Sequence, residues 1–352
     1  MSEDSGQARP GLLERLADGP VICAEGYLFE LERRGYLQAG AFVPLVVLEH
    51  PELVAQLHRE FVHAGSDVVE AFTYYAHREK LRIIGREGDL EAMNTQALSI
   101  AKEVAAETGS LLAGDVCNTN VFVPGDAQAK ATVRAMFEEQ VGWAAQVGVD
   151  FVIAETISWG EEALIALDAI KSAGLPAVVT LAIHQEPETR EGWTPEEACR
   201  RLEDAGADVV GLNCIRGPGT MLPLLQAIRD AVQVPVAALP VPYRTSSEQP
   251  SFQSLRDPES DEETDGIPFP TALDPFVSTR HELGRFAATA RAMGIDYLGV
   301  CCGAGPHHIR AVAEALGRTP PASQYSADMT KHAFMGTDSS ITDEQTGFAA
   351  KL

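Results

Sequence analysis

The run Tyr297-Leu298-Gly299-Val300 breaks directly into Cys301-Cys302-Gly303, so an apolar segment of strand length ends on two adjacent thiols. A second run far upstream, Asp208-Val209-Val210-Gly211-Leu212-Asn213, ends on Cys214. Sulfurs that follow two distant strands can meet around one ion only if the fold carries both strand ends to one place. A closed barrel of parallel strands does this, because all its strand C-termini open on one face.

Outward from those two runs the chain alternates. Residues 21–24, 67–73, 111–117, 150–155, 176–183, 208–213, 235–239 and 297–300 read as eight strands. Helical periodicity fills the gaps: Leu53, Val54, Leu57 and Phe61 recur at spacings near one helical turn, and Gly65 follows as a stop signal. Thr194-Pro195-Glu196-Glu197 opens another helix with a capping box, and Gly174 closes the one before it. Strict β/α alternation over about 250 residues predicts a (β/α)8 TIM barrel. An open doubly wound sheet is the alternative. It is disfavoured because polar candidates follow many different strands, whereas an open sheet gathers them at one crevice.

Two stretches interrupt the alternation. Residues 243–275 form a long loop after strand seven, acidic over Glu259 to Asp265, to be read as a lid or as a solvated excursion, the second being favoured. Residues 318–352 carry Pro320-Pro321, many Ser and Thr and little periodicity, which predicts an extended tail, a linker or an arm for a homo-oligomer. The expected organisation is an N-terminal arm over 1–19, a barrel over 20–317 and the tail over 318–352.

Composition narrows the class of function. The 352 residues are 45% hydrophobic and 22% charged, an ordinary globular balance, and the net charge of -24 argues against a nucleic-acid or anionic-lipid partner. No apolar run reaches the roughly 18 residues of a membrane span. Six cysteines without a signal peptide predict free thiols in a reducing, cytoplasmic setting.

Three protein sulfurs leave a fourth position on zinc for water or substrate, the mark of a catalytic rather than a structural site. Cys214, Cys301 and Cys302 are therefore the expected ligands of Zn2+. Such an ion would lower the pKa of an incoming thiol and hold it as a nucleophile at neutral pH. The reaction class this predicts is alkyl transfer to sulfur. Cys23, Cys117 and Cys199 have no partner at metal spacing; Cys199 reads as a packing residue, and Cys23 and Cys117 could approach the mouth without binding zinc. His307 and His308 are to be read as contacts to substrate or a phosphate or as solvent-facing caps of the last helix, the second being favoured.

These residues also carry a resemblance. Gly-Leu-Asn-Cys at 211–214, Gly-Val-Cys-Cys-Gly at 299–303 with Pro306-His307-His308-Ile309, and Phe29-Glu30-Leu31-Glu32-Arg33-Arg34-Gly35 resemble the homocysteine S-methyltransferase family, and within it the betaine-using branch. Glu49-His50-Pro51-Glu52 and Leu57-His58-Arg59-Glu60-Phe61 extend the likeness, which runs from about residue 20 to 317. It implies a zinc barrel that moves a methyl group from an onium donor to homocysteine, giving methionine. Glycine betaine is the first donor implied, with dimethylsulfoniopropionate or S-methylmethionine next.

By the same resemblance Glu155 contacts the homocysteine amino group and Tyr75 lies near metal and methyl donor, so these two are the expected catalytic residues. Phe42 stands where betaine enzymes have a tryptophan facing the ammonium, with Tyr74 beside it, and Glu25, Gly26, Thr156 and Asn213 complete the expected substrate contacts. Three departures bear on specificity. Ala24-Glu25-Gly26 replaces the family Asp-Gly-Gly, Thr156 replaces a tyrosine, and Cys117-Asn118-Thr119-Asn120 is unlike the matching loop. The competing expectations are a related demethylase with another donor or acceptor thiol, and a zinc scaffold that no longer binds homocysteine.

Overall fold

A computed structural model describes residues 9–259, 266–349 and 351. Eight parallel strands make one sheet in the order β1-β8-β7-β6-β5-β4-β3-β2. In chain order they are β1 (Val21–Ala24), β2 (Val68–Glu70), β3 (Leu111–Cys117), β4 (Phe151–Ile157), β5 (Ala177–Leu181), β6 (Val209–Asn213), β7 (Val236–Leu239) and β8 (Tyr297–Val300). The remaining seam closes through Asp67. Its N–H donates to the Ile22 carbonyl at 2.8 Å, and its carboxylate accepts the Ile22 N–H at 2.8 Å. The result is the expected (β/α)8 TIM barrel.

The helices are α1 (Leu12–Asp18), α2 (Tyr27–Arg33), α3 (Val46–Glu49), α4 (Pro51–Ala64), α5 (Arg78–Ile83), α6 (Leu90–Thr108) and α7 (Ala127–Val147). They continue with α8 (Gly160–Ser172), α9 (Pro195–Asp204), α10 (Pro218–Ala231), α11 (Arg280–Ala292), α12 (Pro306–Ala315) and α13 (Asp343–Ala349). The Thr194 hydroxyl accepts the Glu197 N–H at 3.3 Å at the start of α9, as the capping pattern predicts. The short helices α2, α3 and α5 were not legible, because one or two turns carry too little periodicity. The barrel interior is packed by Cys23, Phe151, Ile153, Val178, Leu239 and Tyr297, and Leu12 and Leu16 of α1 close its floor.

A repeated tripeptide builds that floor. Gly65-Ser66-Asp67, Gly148-Val149-Asp150, Gly206-Ala207-Asp208 and Gly294-Ile295-Asp296 precede the four even-numbered strands, and each glycine has positive φ, where a side chain would be strained. In three of the four, the aspartate then caps the neighbouring odd strand: Asp67 takes the Ile22 N–H, Asp150 the Leu112 N–H at 2.7 Å and Asp208 the Ala177 N–H at 2.8 Å. Helix stop, strand start and inter-strand bond are thus set by three residues. Asp296 instead pairs with Arg291.

Boundaries differ from expectation where the site lies. The fourth strand runs past residue 155 to Ile157, with a register irregularity between Ala154 and Ile157 and Thr156 at φ 56°. A bulge at that point re-aims the side chains beside it, so Glu155 turns into the barrel mouth from within a strand. The long loop after β7 is not a solvated excursion over its described part: Phe252, Leu255 and Leu273 are buried, and Tyr243 bridges to Val277. Of its acidic run, residues 260–265 lie outside the described residues. The tail is tied to the barrel by Arg318 on Asp67 at 2.5 Å and by Ser323 on Glu314 at 2.8 Å, and it then exposes Tyr325, Met329 and Met335.

Asp67→Ala orphans the Ile22 amide at the barrel seam, for which a cost of about 1–3 kcal/mol is expected. Urea unfolding should show that loss for Asp67→Ala and a change within about 0.5 kcal/mol for the exposed control Asp168→Ala. Equal midpoints for the two variants would refute the seam argument.

Candidate functional site

Parallel register brings the three predicted sulfurs together. Asn213 pairs with Leu239 across β6 and β7, and the Cys214 N–H continues that ladder to the Leu239 carbonyl at 2.8 Å. Cys301 follows β8 and donates its N–H to Pro240 at 3.0 Å. The Sγ atoms of Cys214, Cys301 and Cys302 consequently lie within 4.8 Å of one another. Thiolates at about 2.3 Å from a tetrahedral ion sit about 3.8 Å apart, so the donor set and its spacing fit a thiophilic metal. Thiol hydrogen bonds from Cys301 and then Cys302 hold the Cys214 thiol well below its ordinary pKa. Burial and the bond to Cys214 push Cys301 up, and that same bond leads in raising Cys302.

Backbone strain marks the same mouth. Among the described residues, every non-glycine with positive φ (Phe42, Tyr75, Asn120, Thr156, Cys214 and Ile215) lines the one large cavity there, of about 440 Å³. Such conformations cost of order 1–3 kcal/mol each and persist only where neighbours hold them. Around Cys214 and Ile215 the holders are visible. The Arg216 guanidinium donates to the Ile183, His184 and Gln185 carbonyls at 3.1, 2.6 and 3.0 Å, and the Phe252 N–H donates to Ile215 at 2.8 Å.

Beneath the sulfurs, Asn213 organises an acidic well. Its carboxamide donates to Glu155 at 2.6 Å and to Glu25 at 3.1 Å, and its oxygen accepts the Thr156 N–H at 2.8 Å. Glu70 and Asp115 complete the well from β2 and β3, and all four carboxyls are buried. Burial is the main cause that raises each of their pKa values. The next cause is Glu155 for Glu25 and Glu70, Glu25 for Asp115, and Asp115 for Glu155. Gly26 has no room for a side chain, because a Cβ there would strike the Ala304 carbonyl.

The cavity above is walled by rings. Phe42 packs on Phe29, and Tyr74 and Tyr75 lie with ring centroids 4.3 Å apart. The Lys80 ammonium lies 3.8 Å over the Tyr75 ring, burial pushes the Tyr75 phenol up to about 12, and the Tyr75 N–H points to Cys117 sulfur at 3.2 Å.

Of the candidates named from the sequence, Phe42, Tyr74, Tyr75, Thr156, Cys214 and Cys302 line this mouth, and Glu25 and Glu155 line the well below it. Cys301 and Asn213 join them through the sulfur cluster and the Asn213 hydrogen bonds, Gly26 lines neither cavity, and Glu25 sits within 4.8 Å of both Glu155 and Cys301 when ligand atoms are compared. Sequence reasoning missed Glu70 and Asp115. An acidic residue inside an apolar strand was the available signal. It also missed Phe252 and Phe269, which reach the mouth from the long loop, and Arg33, which fixes the cysteine turn by donating to the Gly303 carbonyl and Tyr243 hydroxyl at 2.9 Å each. His308 caps the Gly305 N–H at 3.1 Å but is buried, not solvent-facing, because its ring also reaches the Ser278 carbonyl.

Residues 25–316 match the family model described as homocysteine S-methyltransferase. The chain is 37% identical over 327 residues to betaine–homocysteine S-methyltransferase 1 of Mus musculus, covering 90% of this chain and 78% of that protein. It is also 37% identical to S-methylmethionine–homocysteine S-methyltransferase of the same organism, over 91% of this chain and 86% of that one. The metallated homocysteine methyltransferase MmuM of Escherichia coli shares the fold at TM-score 0.65 and 18% identity, covering 85% of this chain and 98% of that one.

A carboxyl whose folded pKa is raised binds more protons folded than unfolded between the two values. Its contribution to stability therefore falls as pH climbs from the unfolded pKa, near 4, through the folded one. Asp115→Asn removes one such group. In chelator-treated protein, its melting temperature relative to wild type should rise between pH 5 and pH 8; a pH-independent difference would rule out the assigned cause.

Proposed function

The chain belongs to the homocysteine S-methyltransferase family, and from that premise we propose that it transfers a methyl group from an onium donor to homocysteine, giving methionine. The observation that carries this reading is the trio of mutually adjacent thiols beneath an aromatic-walled cavity. Cys214, Cys301 and Cys302 would hold zinc, and the ion when bound supplies the Lewis acidity that keeps a substrate thiol deprotonated at neutral pH.

The chain's own residues do the rest. Glu155 and Glu25, fixed by Asn213, receive the ammonium of the amino acid, which orients its sulfur toward the mouth. Phe42 and Tyr74 offer ring faces to the onium head. Lys80 lies over one face of Tyr75, so that face is taken, and the ammonium instead suits the carboxylate tail of a zwitterionic donor such as glycine betaine. The new bond joins sulfur to the methyl carbon as the bond from carbon to the onium atom breaks, its electron pair staying with nitrogen. Opposite charges cancel along that path, and a dry, positioned pair of reactants needs no acid or base.

A second reading has its own support. Glu25, with Glu70 and Asp115 close by, gives the well more negative charge than one ammonium neutralises, which favours an acceptor thiol of higher positive charge. S-Methylmethionine remains the second donor, since one similar protein is named for it.

Cys301→Ser should lose bound zinc and at least about 100-fold of homocysteine-dependent methyl transfer, because one of three protein ligands is replaced by a hard hydroxyl. Metal analysis paired with a methionine assay over betaine, dimethylsulfoniopropionate and S-methylmethionine checks this. Full activity in the variant would overturn the mechanism, and turnover only with another thiol would select the second reading.

A further inference from the structure

The acidic well contains a place for a second ion. Glu70, Asp115 and Glu155 each bring a carboxylate oxygen within 4.8 Å of the other two, and Glu25 approaches Glu155 from the fourth side. Glu25 Oε1, Glu70 Oε1 and Asp115 Oδ1 are buried with no hydrogen-bond partner. Each belongs to a residue no more than 5% exposed, and all line one small cavity of about 10 Å³ that Tyr74 and Cys302 also line. That is room for a body the size of one water molecule or one ion. Among the described residues, no lysine, arginine or histidine is a leading cause of the shift at any of these four carboxyls.

From this convergence we propose that Glu70, Asp115 and Glu155, with Glu25 adjoining, form an all-oxygen site for a hard divalent cation, next to the thiolate trio but sharing no ligand with it. Oxygen ligands lie about 2.0–2.6 Å from such ions, so two of them are at most about 5 Å apart, which the observed spacing meets. The donors sort the metals. Carboxylates suit Mg2+, Ca2+ and Mn2+, whereas three sulfurs suit zinc, so two neighbouring sites of opposite softness can fill with different ions.

Charge favours a divalent ion deeper in the well than the substrate ammonium. One ammonium, received by Glu155 and Glu25, offsets one carboxylate, and Asn213 already donates to one oxygen of each of those two residues. The oxygens left over belong mainly to Glu70 and Asp115, deeper on β2 and β3. A divalent ion there would let the well stay ionised at neutral pH without its carboxylates repelling one another.

Mn2+ alone tests this, with no homocysteine present, so the result does not depend on the acceptor proposed above. Protein that carries its thiol-bound metal is titrated with Mn2+, and the free ion is followed by its paramagnetic resonance signal. One site per chain is expected, weakened at least tenfold in both Glu70→Gln and Asp115→Asn. Both variants should keep the metal content of the cysteine site and a cooperative melt. Absence of a stoichiometric site in wild type, or unchanged affinity in the two variants, would overturn the proposal. In a separate homocysteine titration, variants that weaken homocysteine binding while their Mn2+ affinity is untouched would also overturn it, since the well would then belong to the amino-acid subsite. Failure of methyl transfer with Mn2+ binding intact would count against the methyltransferase reading alone.

Discussion

The carboxamide of Asn213 ties β1, β4 and β6 into one rim. It bonds Glu25, Glu155 and Thr156 at once, and its nitrogen comes within 3.9 Å of Cys301 sulfur at the end of β8. An aspartate here would place another negative charge against two carboxylates, and a leucine would leave the bonded Glu25 oxygen and the Thr156 amide without partners, and Glu155 with the Thr156 hydroxyl alone. A buried amide that both donates and accepts is the side chain that satisfies the set. Because Asn213 immediately precedes Cys214, the same residue that holds the acidic well also fixes the first sulfur. The thiol trio and the acidic well are therefore one construction.

Among the described residues, strain gathers around the cavity onto which that construction opens. Cys214 and Ile215 are both left-handed, and the second is β-branched, for which the conformation is especially unfavourable. The barrel below supplies the stability that offsets it: ladders between neighbouring parallel strands, a floor sealed by α1, and aspartates that cap neighbouring strands. Division of labour between a regular floor and a strained mouth is what lets one barrel hold a demanding arrangement of side chains.

How far the sequence discloses this follows from the range of each signal. Strand ends at Cys214 and Val300 were legible because apolar runs are local, and the barrel follows from their alternation with helices. The sulfurs could be placed together from topology alone. The bulge at Thr156 could not be read, since nothing near it in the chain departs from strand character; only pairing with β5 exposes the irregularity. Glu70 and Asp115 were passed over as strand residues because their consequence depends on which way a strand faces, and a run buried on both sides loses the two-residue alternation that would reveal it. Phe252 and Phe269 come from a loop rich in Pro and Ser, whose composition says solvent while its contacts say core.

The arrangement of charge gives the mouth a direction. A chain of net charge -24 attracts the cationic end of a zwitterion, and at physiological salt that attraction reaches only about 8 Å, so it acts at the entrance rather than from afar. Inside, Phe42 and Tyr74 face a cation with rings while the acidic well lies deeper, past the sulfurs. A primary ammonium can shed water and descend to carboxylates, because they replace its hydrogen bonds. A quaternary or tertiary onium has no N–H to donate and gains more from ring faces than from buried carboxylate oxygens. Under the proposed reading the two cations would be sorted by depth, one below the thiols and one above, with the acceptor sulfur between them.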